Sequence, residues 1–136
     1  MSLFNIYQNH ALRNNSVNIN AIGWDEAGKQ FPAVKAHMEM SMGAVGNKWD
    51  KGFFEHYNNV ATVRVADDSL DIMDSLESVF AASNGHPNSK DDNYVNTGRA
   101  HSLSVGDIVH VANKNTTNDD TYYLCMAIGF VQIEVV

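Results

Sequence analysis

The stretch VATVRVADDSLDIMDSLESVFAASNG, residues 60–85, changes its hydrophobic period halfway along, and that change decides the fold class. Over its first seven residues Ala61, Val63 and Val65 oppose Val60, Thr62 and Arg64, with the β-branched enrichment of an inner strand. Beyond Asp67 the period lengthens to that of a helix. Ile72, Met73, Leu76, Val79 and Phe80 form one apolar stripe, and the N-cap is expected at Asp68 or Ser69. Asp67, Asp68, Asp71 and Asp74 stand where the helix dipole favours negative charge. Asn84 and Gly85, followed by Pro87, end the helix.

C-terminal to this unit, residues 86–102 read as a polar loop. DIVHVAN and TYYLCMAIGFVQIEVV then read as strands, separated by the turn cluster NKNTTNDD and split again at Gly129. This predicts a C-terminal β-meander. N-terminal to the unit, Leu3, Asn5 and Tyr7 alternate with Phe4 and Ile6, a first strand. Val17, Ile19 and Ala21 suit a second short strand, able to pair with the first as a hairpin, and GWDEAGK reads as a turn. The segment FPAVKAHMEMSMGAV fits both periods. Its composition favours a helix, with Pro32 in the first turn and Gly43 at the end. Residues 46–59 read as a packed loop holding at most one helical turn. The expected architecture is α+β: about five strands in a mostly antiparallel sheet, with two helices packed on one face, in a single domain spanning residues 1–136.

Composition narrows the function classes. Nine basic against sixteen acidic residues give a net charge of −7, and the basic residues are scattered singly, which disfavours nucleic acid and anionic membranes. A protein partner fits this charge better, and a homo-oligomer stays open. An acidic surface also suits mimicry of nucleic acid, with Asp67, Asp68, Asp71, Asp74 and Glu77 clustered on one helix. An ordinary solvated face explains the same residues. One cysteine, Cys125, sits in an apolar run where a core residue belongs and points to a reducing compartment. With neither a signal-like start nor a long apolar run, a cytoplasmic location is expected.

Chemistry-bearing motifs are sparse. The histidines at 10, 37, 56, 86, 101 and 110 show no metal-ligand spacing, so no metal or other cofactor is expected. There is no GxSxG, P-loop or GxGxxG, and no catalytic residue is assigned. In SLSVGDIVHV the Gly106-Asp107 pair reads as a turn feeding a strand, since glycine tolerates positive φ and aspartate favours turns. His110 reads as a cross-strand neighbour. Two surfaces remain as candidates. His86, Arg99, His101, Ser102 and Asp107 form a loop-borne binding patch. Trp49, Phe53, Phe54 and Tyr57 could line an aromatic surface, with a loop anchored over the sheet as the plainer alternative. Met38, Met40 and Met42 suit core packing better than an adaptable binding surface.

In order, HYNNVATVRV, LESVFAASNGHP, AHSLSVGDIVHV and YYLCMAIGFVQI resemble the YodL-like domain family over about residues 57–133. Phe80, Asn84, His86 and Pro87 match at the helix end; Ser102, Leu103, Ser104, Val105, Asp107 and Val109 at the turn; Tyr123, Gly129 and Phe130 at the close. Gly106 replaces a common serine, and NSKDDNYVNTG is longer than usual. The resemblance implies an accessory protein of a phage or other mobile element, without an assigned reaction. Two functions follow as expectations: a non-enzymatic protein that binds another macromolecule, or a small enzyme or ligand-binding domain with a pocket between the aromatic loop and the SLSVGD turn.

Overall fold

The structure is a computed structural model that describes residues 1–9, 20–41, 48–49, 55–114 and 120–135. The strands are β1 (Ser2–Gln8), β2 (Lys48–Trp49), β3 (Asn58–Val65), β4 (Asn93–Asn96), β5 (Ile108–Asn113), β6 (Tyr122–Cys125) and β7 (Phe130–Val135). The helices with described bounds are α1 (Trp24–Gln30), α2 (Pro32–Ser41) and α3 (Ile72–Ser83). The fold is α+β, as the change of period at residues 60–85 predicts. Six strands pair antiparallel and β2 joins β7 in parallel, in the order β2-β7-β6-β5-β1-β3-β4.

The described residues hold seven strands where about five were expected, because β2 and β4 are short and carry little apolar alternation. The expected strand at Val17, Ile19 and Ala21 is corrected where it is described: residues 20–22 are helical. GWDEAGK is likewise helix rather than turn, since α1 spans most of it. The helix expected from residue 32 is present with Pro32 at its start, while Met42 and Gly43 lie outside the described residues.

β1 sits at the centre of the sheet. Phe4 lies between Val63 and Val111, and Ile6 between Ala61 and Val109, so one face carries a continuous apolar row. Helix α3 covers that face through Leu76, Val79 and Ala82. Burying Leu76 and Val79 contributes about 1.5–3 kcal/mol each.

The helix is rotated from its expected stripe. Ser75 and Ser78 are buried, while Met73 and Phe80 stay 45% and 39% exposed, because small residues let the helix axis approach β3 closely. Its N-cap is Asp71 rather than Asp68 or Ser69: the Asp71 carboxylate accepts from the Asp74 N–H at 2.8 Å. Its end is as expected. His86 N–H donates to Ala81 O and Gly85 N–H to Ala82 O, with Gly85 at φ 81°.

The helices do not share one face. Met40 of α2 is buried with Ile108, Leu124 and Ile133, whose side chains alternate away from the face under α3. The correction follows from the strands themselves, since β5 and β6 are apolar on both sides. Among the described residues no helix is long and apolar enough to cross a membrane.

Candidate functional site

The turn SLSVGD is built around a buried carboxylate. Gly106 takes φ 92°, the conformation its sequence position predicts, and brings Asp107 inward to 3% exposure. The Ser104 N–H donates to Asp107 Oδ2 at 2.9 Å, and the Asp107 N–H donates back to Ser104 O at 3.0 Å. The second donor comes from the far end of the sequence. Gln8, on the same inward face of β1 as Phe4 and Ile6, donates from Nε2 to Asp107 Oδ2 at 3.0 Å and to His101 O at 2.9 Å. Its Oε1 accepts from the His101 N–H at 3.1 Å.

Four further bonds fix this clasp in place. Gly106 N–H donates to Cys125 O and Cys125 N–H to Asp107 O, which fastens the turn to β6. Leu103 N–H donates to Ser83 Oγ at 3.2 Å, which fastens it to the end of α3. The Tyr57 hydroxyl, itself buried, donates to Gly106 O at 2.8 Å.

Electrostatics follow from burial. Desolvation raises the Asp107 pKa to about 6, against the Ser104 N–H, His101 and the Gln8 amide, which favour the charged form. Desolvation also raises the Tyr57 hydroxyl, and it pushes the buried Cys125 thiol up to about 12, so that thiol is not a ready nucleophile.

The predicted patch is therefore only partly assembled. His101, Ser102 and Asp107 come together: His101 Nδ1 lies 2.8 Å from Ser102 O and 3.9 Å from Asp107 Oδ2. Ser104 Oγ approaches that same nitrogen, at 3.5 Å. A nucleophile relay needs the acid and the serine on opposite ring nitrogens, so this trio is not a catalytic triad. His86 stays exposed beyond α3 and shares no hydrogen bond or ion pair with the clasp. Arg99 is exposed at φ 62°. Tyr57 is corrected from surface to core, held inside by its bond to the turn. Trp49 lies in β2, and Phe53 and Phe54 lie outside the described residues.

Other candidates resolve into local structure. His110 stacks on its cross-strand neighbour Tyr122 at 4.7 Å, as its place in the strand predicts, and its Nε2 lies 3.3 Å from Asp120 Oδ1. The acidic run is occupied locally: Asp67 accepts from the Ser69 N–H and hydroxyl, Asp68 from the Met1 amino group and Ser2 hydroxyl, and Asp71 caps the helix. Those bonds hold the Asp67 and Asp68 carboxyls below their ordinary range. Among the described residues no three His, Cys, Asp or Glu side chains are placed to hold a metal ion.

The accessible concavity lies elsewhere. A cleft of about 180 Å³ opens between α3 and the β6–β7 turn, lined by Glu77, Phe80, Cys125, Met126, Gly129 and Phe130. Phe80, on the helix side of the lining, is 39% exposed; Ile128, on the turn between the lining residues Ala127 and Gly129, is 94% exposed and stands outside the lining itself. A cleft of this size admits about one apolar side chain and is smaller than the ~300 Å³ at which small-molecule sites begin. A second cleft, of about 330 Å³, lies across α3 and is lined by Asp67, Asp74, Glu77, Ser78, Asn88 and Asp92 among others. Sequence reasoning placed Phe80 in the core stripe and did not single out Ile128. The available signal was Ile128 beside Gly129, an apolar residue at a turn. Comparisons with protein-family profiles, curated proteins and solved structures return no match for the chain.

Proposed function

We propose that this chain is a non-catalytic binding module, which docks a protein partner by receiving one of its apolar side chains in the cleft between α3 and the β6–β7 turn. The observation that carries this reading is Phe80, large, apolar and 39% exposed in the cleft wall, with Ile128, 94% exposed, on the turn whose residues Ala127 and Gly129 line the same cleft. Large apolar groups left in water around a pocket are the usual anchors of protein association. Glu77 lines the same cleft and the chain carries −7, so the partner's contact pairs its apolar anchor with basic residues. The clasp serves as the frame. It ties Cys125, in the cleft wall, to Asp107 and ties the end of α3 to Leu103.

The resemblance to YodL-like domains adds a setting, an accessory role in a phage or other mobile element. A small enzyme is disfavoured by the clasp itself. Asp107 is engaged by internal donors, and Tyr57 bridges directly to the turn where a substrate pocket was expected.

Replacing Ile128 by a photo-crosslinking amino acid tests the docking reading, with the same replacement at the exposed Arg64 as control. A discrete protein adduct at position 128 and none at 64 supports it. No adduct at 128, or equal adducts at both, overturns it.

A further inference from the structure

The sheet ends at β4, and among the described residues none takes up the backbone groups of its outer edge. β4 is the terminal strand, and its residue Val95 is 46% exposed. The Thr97 N–H donates to Val60 O at 2.9 Å, so residues 60 and 97 are a hydrogen-bonded pair. Such pairs alternate along an antiparallel ladder. Thr62 with Val95 and Arg64 with Asn93 therefore bond inward, and the N–H and C=O groups of Tyr94 and Asn96 point outward. No proline or lysine, the usual guards of an edge, lies within the strand.

We propose that β4 pairs antiparallel with β4 of a second copy of this chain, centred on Val95, joining the two sheets into one. The register follows from geometry. A two-fold axis perpendicular to a sheet keeps each face continuous, so it must pass through a residue rather than between two. With the axis through Val95, Tyr94 of each copy faces Asn96 of the other, and all four outward groups on each side find partners. With the axis through Tyr94, Asn96 would face Asp92, whose N–H is already donated to Ser89 O at 3.1 Å. The Val95 register is complete and the Tyr94 register is not.

Side chains and charge agree with it. On the axis the two Val95 residues form a close, non-hydrogen-bonded pair of β-branched side chains. Lys90 and Arg99 balance Asp91 and Asp92 across residues 90–99, so this edge is neutral in a chain of net charge −7. Two acidic copies meet here with the least opposition. The cleft is lined from α3 and the β6–β7 turn, not from β4, so the pairing leaves it open in both copies.

Disulfide trapping tests the register. In a non-hydrogen-bonded pair the Cα atoms lie about 4.5 Å apart, within disulfide range. Val95→Cys is expected to oxidise to a covalent dimer of twice 15.0 kDa. Asn93→Cys, which would face Thr97, should give about tenfold less. Sedimentation velocity on the wild type should show mass rising from 15.0 kDa toward twice that value with concentration, and Val95→Lys should remain monomeric by placing like charges on the axis. Equal trapping at 93 and 95, a wild type monomeric at all concentrations, or a Val95→Lys chain that dimerises unchanged would each overturn the proposal.

Discussion

The clasp around Asp107 and the cleft beside Phe80 invert each other. In the clasp, strongly polar side chains are buried: Gln8 is 0% exposed and Asp107 3%, and each is bonded to donors or acceptors from distant parts of the chain. At the cleft and its adjoining turn, large apolar side chains meet water, Phe80 at 39% exposure in the cleft wall and Ile128 at 94% on the turn. Buried polar groups are tolerated only when satisfied, and a satisfied set fixes one geometry. Exposed apolar groups add little to the fold, so their presence is better explained by what they meet. Polarity alone therefore misassigns both regions: the residues that look chemically active hold the frame, and those that look like core are offered outward.

Substitutions can break or sharpen that contrast. The largest effect is expected from Gln8→Leu, which strips Asp107 of a donor and the His101 N–H of its acceptor. The expected loss is about 3 kcal/mol of unfolding free energy in a urea titration. A loss below about 0.5 kcal/mol would mean that the clasp does not hold the frame.

Asp107 gives the next effect, through pH. Its folded value of about 6 lies above the ordinary 3.8, so the folded state binds this proton more tightly than the unfolded chain does. The stability it contributes is full below about 4 and lost as pH rises through about 6. Urea titrations should show the wild type gaining on the order of 2 kcal/mol between pH 7 and pH 4.5 relative to Asp107→Asn. Parallel pH profiles would show that Asp107 is not desolvated as described.

Asp71→Ala removes the cap of α3, away from both regions, and should cost about 1 kcal/mol by the same titration. No larger than that should be the paired change Phe80→Asp and Ile128→Asp, about 1 kcal/mol, since Phe80 is partly covered and an aspartate in the last turn of α3 opposes the helix dipole. A loss of several kcal/mol would return both residues to the core and dissolve the contrast.

How much of this was legible in the sequence depends on how much apolar contrast each segment carries. The strand over residues 60–65, the end of α3 at Asn84-Gly85, the turn at Gly106 and the C-terminal meander were all readable, because period and glycine placement report them directly. Helix α1 was not, since Ala27 is its one buried residue and leaves no stripe to read. Strand β4 was hidden in the same way, because only Tyr94 is partly packed against the core. The rotation of α3 escaped because Ser75 and Ser78 are small enough to be buried and polar enough to look exposed. Gln8 was missed for a different reason. The strand was expected to stop at Tyr7, yet Gln8 continues the inward alternation of Phe4 and Ile6, and its partners lie 93 and 99 residues away. Long-range polar pairing has no local signature.

The most direct test of the contrast is quantitative capture of the crosslinked partner by two folded variants in parallel, Phe80→Asp/Ile128→Asp and His101→Ala. The account predicts that capture is lost in the first and retained in the second. Retention in the first with loss in the second would contradict it, and would return function to the SLSVGD turn.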